Sequence, residues 1–564
     1  MVVFGLRLFY IQIIRHDHYR KAALSDQLRQ YEIPAERGII RAQDAGGTVP
    51  IVLNQTLYTV FADPTYIEEP EKVADSLAVA LGGRAADYVP KLTREGTRYV
   101  ILAKKVDKDT KNKLLAYKYP GIYAQEQSYR TYPQGSMAAQ LLGFVNGEGQ
   151  GTYGVEEALD SQLAGSPGEL KAITDVRGVP LAANTDNISK PAVAGKDVTL
   201  TVDVAIQRLV EDAVKAAKEK TKAQNASAVV IDPHTGEIKG MANYPTFNPA
   251  KYNEVKDPSV YTNFAVSHPI EIGSTMKTLT TAAALDQGVI GPNTSYYDPA
   301  GYTVNGYRIT NIEEDGGAGQ RDIKDILNLS LNTGATWELM QMGGGNINSK
   351  ARTAWHNYMV AHYLFGQKTG IEQGYEASGY VPEPKDNGAG INLTYANTAF
   401  GQAMTATTLQ LGGALSAVVN GGTYYKPHLV QRITDEDGNT TVKKPEVAKQ
   451  RVVSARTSTE VMSLMEYVVQ HHTFYPAFNH KKYLVGGKTG TAQIAKPEGG
   501  YYDRQFNGTY VGFVGGKDVQ YVIAVFVIKP QLAPGLYAGT AAAQPLFAQI
   551  AHGLIDNSFV TPKN

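Results

Sequence analysis

Two stretches of the chain combine strand and helix patterns, and they restrict its possible folds more than any other feature. The expected elements, in chain order, are strand Val198–Asp203, a helix from Ile206 to about Lys222, a strand–turn–strand over Ser227–Ile238, strands Thr509–Gly515 and Tyr521–Ile528, and a helix from about Ala541 to Ile555. Strands joined by short turns pair antiparallel, and helices between strands pack on the sheet. We therefore predict an α+β fold in which helices cover an antiparallel sheet.

The length and the charge balance of the chain exclude several functional classes. Its 564 residues correspond to about two to four domains. Lys plus Arg number 54 and Asp plus Glu also number 54, so the formal net charge is zero. Because nucleic-acid binders usually carry a basic excess, we expect no nucleic-acid partner. Cysteine is absent, which excludes disulfides, thiolate metal sites and a cysteine nucleophile.

Residues 1–30 open with an apolar run that is interrupted by Arg7 and Gln12. The run is shorter than the roughly 20 residues that span a bilayer, and it lacks the small-residue cleavage site of a signal peptide. Two interpretations remain open: an amphipathic surface helix, or the outer end of a transmembrane helix. We prefer the second interpretation.

The remaining chain divides at a segment rich in Pro, Ala and Gly, Lys190–Gly195. Before it, the sequence is rich in Gly, Pro and Tyr, with a strand expected over Tyr58–Pro64 and a short helix over Val73–Leu81. We expect three parts: a membrane-proximal segment at residues 1–30, an elongated N-terminal domain at residues 31–195, and a larger domain at residues 196–564.

The first motif with chemical potential is Ser274-Thr275-Met276-Lys277, at the start of an apolar stretch. Residues three apart on a helix share a face, so the hydroxyl and the amine would be neighbours. A serine hydroxyl needs an adjacent base to become a nucleophile, and a lysine serves as that base when burial or a nearby cation keeps it neutral. Among the serines of the chain, only Ser274 has Lys three positions later.

A second motif is Ser330-Leu331-Asn332. No other serine has Asn two positions later. Taken alone, this pair is better interpreted as a helix-terminal Ser and Asn that bond to the local backbone.

The tripeptide Lys-Thr-Gly occurs twice. The copy at Lys368–Gly370 is expected in a loop, because polar and glycine residues follow it. The copy at Lys488–Gly490 follows two glycines and continues through Thr491 into a strand-like run. On a strand edge its side chains would face a substrate carboxylate. A P-loop is excluded, because Lys482 stands where that motif requires glycine.

The histidines give no metal signature. None begins an H-E-x-x-H motif, and His471-His472 lacks further residues at ligand spacing. We interpret this pair as solvated surface, and we expect neither a metal nor an organic cofactor.

Together, and in this order, the three motifs resemble the signature of the penicillin-recognising serine acyl enzymes. Further segments resemble class B penicillin-binding proteins, the monofunctional peptidoglycan transpeptidases: Ile33–Ile40, Arg130–Pro133, Leu142–Val145, Gly154–Glu156, Leu200–Asp203, Phe400–Gln402 and Asn420–Gly422. This resemblance covers nearly the whole chain and implies a serine β-lactamase-like transpeptidase domain at residues 196–564 on a pedestal domain. In one departure, Ile272-Gly273 stands where the family has Pro-Gly, which is expected to loosen the turn.

The resemblance also implies catalytic roles. Ser274 would attack a D-Ala–D-Ala stem peptide, with Lys277 as its general base. Ser330 and Asn332 would pass a proton to the leaving amine and hold the substrate amide. The charge of Lys488 would help to keep Lys277 neutral.

The substrate-binding site implied by the resemblance is the second Lys-Thr-Gly copy. Lys488, Thr489 and Thr491, with Gly490 between the threonines, would bind the substrate carboxylate. The backbone N–H groups of Ser274 and Thr491 would form the oxyanion hole.

The partners and the location follow from the same resemblance. We expect peptidoglycan stem peptides as substrates, β-lactams as acylating mimics, and a membrane-embedded glycan polymerase as a partner. The chain is expected to be a single-pass membrane protein with an extracytoplasmic catalytic domain, serving either septal division or lateral elongation.

Two alternatives stay open at this point. A β-lactamase or β-lactam sensor shares the three motifs but does not account for residues 31–195. A catalytically idle wall-binding scaffold would keep the fold without the reaction. A bifunctional class A enzyme does not fit, because the segment before residue 196 is too short for a second catalytic domain.

Overall fold

The computed structural model describes residues 28–563, except for residues 174–187, 312–316, 386–389 and 497–499, together with a few single positions among the first 15. Most of the predicted membrane-proximal segment therefore lies outside the described residues. Over the part of the chain that is described, no helix combines the length and the apolar character needed to cross a bilayer.

The N-terminal region is built around a seven-stranded sheet. Its strands, in spatial order, are Thr440–Val442, Val430–Thr434, Asp197–Asp203, Ile40–Asp44, Gly47–Ala62 and Val100–Val106, with Ile122–Thr131 also paired to Gly47–Ala62. The predicted strand at Val198–Asp203 therefore exists, but it pairs with Ile40–Asp44 and Val430–Thr434 instead of joining the sheet formed by the next strands. Its apolar residues Val198 and Leu200 are buried with Ile40, which accounts for this placement.

Three helices that follow Ala62 in the chain cover one face of this sheet. They are Pro70–Leu81, Ala85–Leu92 and Lys108–Ala116. Their buried residues, such as Leu77, pack with Val60 of the sheet. The helix predicted over Val73–Leu81 is confirmed and begins earlier, at Pro70, because proline suits the first helical position.

The remaining N-terminal elements are short. They are helices Ala139–Leu142, Gly154–Ala158 and Asp160–Leu163, the strand pair Phe144–Val145 and Gly151–Thr152, and a three-stranded sheet of Leu28–Ile33, Gly168–Ile173 and Ile188–Lys190.

The second region contains a five-stranded antiparallel sheet. In spatial order its strands are Ile238–Tyr244, Asn225–Ile231, Val519–Ile528, Tyr501–Gly515 and Leu484–Ala495. Helices Val204–Thr221 and Gln544–Asp556 pack on one face. The first of these starts at Val204 because the Asp203 carboxylate accepts hydrogen bonds from the backbone of Ala205 and Ile206. The predicted α+β architecture is confirmed.

The central strand Val519–Ile528 belongs to two cores at once. Ile523, Val525 and Val527 pack with the two helices just described. Val522 and Phe526, on the opposite face, pack with the helical layer that carries Ser274. Alternate strand residues point to opposite faces, so a strand that is covered on both sides is apolar along its covered length, which here is residues 522–528.

The helical layer on the second face contains most of the remaining elements. Its helices are Phe264–Ser267, Met276–Asp286, Ile323–Asn328, Asn332–Met342, Ser349–Asn357, Ile391–Thr398, Thr408–Val419 and Ala455–His471. Small strand pairs join Ser295–Asp298 to Gly319–Asp322, Tyr302–Val304 to Tyr307–Ile309, and Tyr424–Tyr425 to Val447–Lys449.

Candidate active site

Ser274 lies in a single 3-10 turn, Gly273–Thr275, that leads directly into the helix Met276–Asp286, here called the Lys277 helix. Gly273 has a φ of +59°, and a Cβ at this position would lie 2.8 Å from the carbonyl oxygen of Thr491. Only glycine fits both conditions without strain. The glycine therefore allows the start of the Lys277 helix to touch the strand Leu484–Ala495, here called the Lys488 strand.

The turn before Ser274 is held by tertiary hydrogen bonds. The carbonyl oxygen of Ile272 accepts from the hydroxyls of Thr275 at 2.8 Å and Thr509 at 2.7 Å. The Glu271 carboxylate accepts from the backbone N–H of Ala403 at 2.8 Å. These contacts restrain the turn at the position where the family has proline.

Two buried lysines meet at the hydroxyl of Ser330. Lys277, which is fully buried, donates from Nζ to the Ser330 carbonyl oxygen and to Ser330 Oγ at 3.3 Å. Lys488, which is 1% exposed, donates from Nζ to the same Oγ at 3.0 Å. A hydroxyl oxygen has two lone pairs and one hydrogen, so Ser330 can accept from both amines and still donate.

Ser330 has a φ of +57°, in the left-handed region that few non-glycine residues adopt. This conformation separates the helix Ile323–Asn328 from the helix Asn332–Met342, here called the Asn332 helix. Asn332 is almost fully buried, and its Nδ2 donates to the carbonyl oxygen of Thr310 at 2.9 Å. The strained residue thus places Ser330 beside the two lysines and Asn332 in the lining of the same cleft.

The Lys488 strand forms the edge of the five-stranded sheet, so one side of its backbone has no strand neighbour in that sheet. Lys488 Nζ also donates to the carbonyl oxygen of Thr489 at 3.1 Å, and Thr491 Oγ1 accepts from the backbone N–H of Gly539 at 3.0 Å. A Cβ at Gly490 would lie 2.2 Å from Thr509 Oγ1. Glycine at this position therefore allows close packing of the strand.

The predicted residues converge on one narrow cleft of about 50 Å³. Its lining residues are Ser274, Asn328, Leu329, Ser330, Asn332, His472, Thr489, Thr491, Tyr537 and Thr540. Lys277 and Lys488 lie below this lining and reach it through Ser330. All eight predicted site residues are therefore brought to one place by three segments of the chain.

The other Lys-Thr-Gly copy has a structural role. Lys368–Gly370 lies in a loop, as predicted. The backbone N–H groups of Thr369 and Gly370 donate to the Glu376 carboxylate at 2.6 and 3.0 Å. Its residues are absent from the cleft lining.

The interpretation of His471-His472 as solvated surface is wrong for His472. The helix Ala455–His471 ends one residue before it, so the two rings point to different surroundings. His471 is exposed and its ring stacks on Tyr467. His472 is partly buried, lines the cleft, and bonds through Nε2 to the carbonyl oxygen of Asn328 at 3.0 Å. The sequence carried no local signal for this contact with a residue 144 positions away.

Glu338 is a second titratable group near the lysines that sequence reasoning missed. It is fully buried on the Asn332 helix, and its Oε1 accepts from the Thr281 hydroxyl at 2.8 Å. Burial raises its pKa to about 8, against the opposing effects of the Thr281 hydrogen bond and the Lys277 charge. The one available signal was a carboxylate between Trp337 and Leu339 in an apolar helix.

Within the described ranges, no three His, Asp or Glu side chains are grouped so that they could hold a metal ion.

Two family models match the chain. The penicillin-binding protein transpeptidase domain matches residues 226–552, and the penicillin-binding protein dimerisation domain matches residues 32–200. The chain belongs to the class B penicillin-binding proteins. The first domain contains every residue of the cleft lining, and the second covers most of the N-terminal sheet.

Relatives of this penicillin-binding protein match it over its full length. Stage V sporulation protein D of Bacillus subtilis is 32% identical over 100% of this chain and 84% of its own length. Penicillin-binding protein PbpB of Mycobacterium tuberculosis is 30% identical over 99% of this chain and 83% of its own. Peptidoglycan D,D-transpeptidase FtsI of Escherichia coli is 26% identical over 99% and 89%.

Solved structures agree with the fold. Penicillin-binding protein 3 of Mycobacterium tuberculosis, complexed with aztreonam, superposes with a TM-score of 0.70 at 26% identity, over 95% of this chain and 98% of that chain. Penicillin-binding protein 2X of Streptococcus thermophilus superposes with a TM-score of 0.75 at 24% identity, over 94% and 80%. The second likeness concerns the fold alone.

Proposed function

We propose that this penicillin-binding protein is a peptidoglycan D,D-transpeptidase that acts through a serine acyl-enzyme, with Ser274 as the nucleophile. The observation that carries the proposal is the convergence of Lys277 and Lys488 on Ser330, beside Ser274 in one cleft. Two buried amines around one hydroxyl form a proton path that a purely structural site would not need.

Acylation is the first step. Ser274 Oγ attacks the carbonyl carbon of the penultimate D-Ala, and its proton passes to Lys277 Nζ. Full burial and the second amine of Lys488 both favour the neutral form of Lys277 that this transfer requires. An acyl-ester bond forms, and the peptide C–N bond breaks.

The leaving group needs a proton, and Ser330 is placed to supply it. Its hydroxyl relays a proton from Lys277 to the amine of the departing D-Ala, while Asn332 holds the substrate amide. An amine of a second stem peptide then attacks the acyl ester. The new amide bond forms, Ser274 is released, and the proton returns along the same path.

Substrate binding uses the edge of the Lys488 strand. An extended stem peptide can pair with the backbone there, while Lys488, Thr489 and Thr491 bind its terminal carboxylate. The backbone N–H groups of Ser274 and Thr491 form the oxyanion hole. In a serine protease, removal of one oxyanion-hole donor costs about 2.7–4 kcal/mol of transition-state stabilisation.

The surroundings of the enzyme are part of the same proposal. We divide the chain into a membrane-proximal segment at residues 1–30, a pedestal at 31–195 and a catalytic domain at 196–564. The apolar N-terminal run supports a membrane anchor, and the resemblance to the family implies that the catalytic domain lies outside the cytoplasm. A membrane-embedded glycan polymerase is the partner that would supply uncross-linked strands.

The decisive experiment is intact-mass measurement after incubation of the purified chain with a penicillin, beside a Ser274→Ala variant. We expect a stable adduct of one penicillin on the wild type and none on the variant. The Ser378→Ala variant is a matched control, because Ser378 lies outside the cleft lining and should leave the adduct unchanged.

The other outcomes identify the competing functions. Hydrolysed drug with unmodified protein would indicate a β-lactamase. Intact drug without an adduct would indicate an idle scaffold, and in that case the Ser274→Ala strain would grow normally. The match to a dimerisation domain at residues 32–200 supports the transpeptidase over the lactamase.

A further inference from the structure

A second pocket lies next to the cleft, at the far end of the Lys488 strand. Its volume is about 340 Å³, and three consecutive strand residues line it: Gln493, Ile494 and Ala495. Thr491, which lines the cleft, is only two residues before Gln493, a distance of about 7 Å along a strand. No step of the proposed reaction uses this pocket. We call it the Glu271 pocket, after the carboxylate on its wall.

The stem peptide that acylates Ser274, the donor stem, must pass this pocket. Its terminal carboxylate is expected at Thr489 and Thr491, so the rest of the peptide continues along the strand edge in one of two directions. Toward the start of the strand, residues 485–488 are buried. Toward its end burial decreases, and Ala495 is exposed. The residues that precede the D-Ala pair therefore lie along Gln493–Ala495, beside the Glu271 pocket.

The donor stem carries an amine in this part of its sequence. In the proposed reaction, an amine of a second stem peptide attacks the acyl ester, and the two stems are copies of one peptide. The donor therefore has the same amine, on a residue before the D-Ala pair. A side-chain amine of the lysine type is an aliphatic chain that ends in a charged ammonium group at neutral pH. A site for it needs apolar walls and an anion.

The carboxylate of Glu271 has one oxygen available for such a cation. Its Oε1 accepts from the backbone N–H of Ala403 at 2.8 Å and from the hydroxyl of Tyr501 at 3.1 Å. Within the described residues, Oε2 is buried without a hydrogen-bond partner. A buried carboxylate oxygen without a partner is costly, and an ammonium group would satisfy it.

Burial also acts on the charge of this carboxyl group. It raises the pKa of Glu271, although the hydrogen bonds from Ala403 and Tyr501 act in the opposite direction. A bound cation would favour the ionised form and offset part of the cost of desolvation.

The other side chains of the pocket allow a cation with an aliphatic stem. Phe264 and Ile270 supply apolar surface on the wall. Lys529 also lines the pocket, but its side chain is exposed, so water and salt screen its repulsion of a cation. Burial and the Lys529 charge lower the pKa of His268, so this ring is neutral at neutral pH.

We propose that the Glu271 pocket binds the amine-bearing side chain of the donor stem, with the ammonium group at the Glu271 carboxylate and the aliphatic part against Phe264 and Ile270. The inference rests on the proposed function, because it assumes that the peptide lies on the Lys488 strand with its carboxylate at Thr489 and Thr491. It assigns to this enzyme a preference for donor stems whose amine is free. A stem whose amine has already been consumed in a cross-link would then be a poorer donor.

The test compares two peptides that differ in one charge. They are Nα-acetyl-L-lysyl-D-alanyl-D-alanine and the same peptide with its side-chain amine acetylated. Each peptide is titrated against acylation of the full chain by benzylpenicillin, and its binding constant is obtained from the slowing of adduct formation. The variant is Glu271→Gln, whose amide oxygen can still accept from Ala403 and Tyr501 but carries no charge. Glu254→Gln, at an exposed position outside the pocket, is the matched control.

We expect the wild type to bind the free-amine peptide about tenfold more tightly than the acetylated peptide, the size of one hydrogen bond to a charged group. In Glu271→Gln the two binding constants should be equal, whereas Glu254→Gln should keep the wild-type ratio. Glu271 also restrains the turn before Ser274, so the readout is the ratio within each protein, which a change in the turn alone would not alter. A ratio near one in the wild type, or a wild-type ratio in Glu271→Gln, would overturn the proposal.

A second variant does not disturb the contacts of Glu271. Lys529→Glu replaces an exposed cation on the pocket wall by an anion, so the preference for the free amine should increase. An unchanged or lower ratio would overturn the proposal, and so would adduct formation that neither peptide slows. Wild-type protein that forms no benzylpenicillin adduct at all would instead refute the proposed function.

Discussion

Two buried clusters of charged side chains in the described part of the chain are built on opposite principles. In the N-terminal region, fully buried Glu156 accepts from Arg37 and from Arg130, both at 2.7 Å. In the cleft, Lys277 and Lys488 instead converge on one neutral hydroxyl. Buried charge is tolerated when it is paired and costly when like charges meet.

The difference indicates what each cluster is for. The cluster around Glu156 joins the Gly47–Ala62 sheet to the short helix Gly154–Ala158, since Arg130 also donates to Asn54 at 2.7 Å. Its charges stabilise the fold. In the lysine cluster, repulsion between the two buried amines lowers the free-energy cost of keeping one of them neutral. The proposed reaction uses that neutral amine as its base.

Removal of Lys277 should have the largest effect of the predicted substitutions. It should reduce activity without reducing stability. For Lys277→Met we expect the penicillin acylation rate to fall by about a hundredfold to ten-thousandfold, because the general base is lost. Stability should stay equal or rise, because a buried amine is replaced by an apolar side chain of similar length. Stopped-flow acylation and urea unfolding measure the two effects. Lys481→Met, at an exposed position, is the control, and a destabilised but active Lys277→Met protein would contradict the comparison.

For the cluster around Glu156 we expect the opposite result, a loss of stability without a loss of activity. Glu156→Gln leaves Arg130 buried without its anion and leaves Arg37 with only Asp160, at 2.7 Å, which should reduce the free energy of unfolding by about 3–5 kcal/mol. Urea unfolding measures the loss. The exposed Glu69→Gln variant, which breaks only a surface pair with Lys72, should stay close to wild type. Below its unfolding midpoint, Glu156→Gln should keep the wild-type acylation rate, and a loss of rate in folded protein would show that the clusters are coupled.

Glu338 sharpens the comparison because it is a carboxyl group beside the lysine cluster with a pKa raised by burial to about 8. Between its ordinary value and about 8, the unfolded state has released the proton and the folded state has not. The free energy of unfolding therefore falls as pH rises across this range, by up to about 1.4 kcal/mol per pH unit. Glu338→Gln should remove this slope, so the variant gains stability over the wild type from pH 5 to about pH 8. Urea unfolding across that range tests the sign, and parallel curves would contradict it.

The smallest effect concerns the turn before Ser274. Ile272→Pro restores the family residue, but the turn is already held by the bonds from Thr275 and Thr509 to the Ile272 carbonyl oxygen. We expect the acylation rate to change by less than about twofold, equivalent to less than 0.5 kcal/mol. A much faster variant would mean that the isoleucine does loosen the turn.

The sequence predicts features well when all their residues lie close together in the chain, within one helix, strand or turn. The Ser274 and Lys277 pair, the Lys488–Thr491 strand and the helix over Val73–Leu81 all follow from the periodicity or spacing of adjacent residues. The partnership of Ser330 with lysines 53 and 158 positions away did not follow from spacing. It came only from resemblance to a family, because tertiary contacts leave no periodic trace.

Other features could not be predicted for the same reason. His472 lies one residue beyond the end of the helix that includes His471, and its place in the cleft depends on a bond to Asn328, 144 positions away. Glu338 is buried by the packing of two helices that meet far apart in sequence. The strand Asp197–Asp203 was predicted, but its partners were not, because an apolar strand fits either sheet.

The N-terminal sheet also restricts the order in which the chain can fold. Its strand Asp197–Asp203 is flanked by Val430–Thr434, and that strand by Thr440–Val442, so residues made late complete a layer begun at Ile40. A growing chain must keep the edge of that layer unpaired while more than two hundred residues are added, and closing so long a loop is slow. The N-terminal sheet is therefore complete only after Val430–Thr434 has been made, and a chain interrupted before that strand would expose an unpaired strand edge.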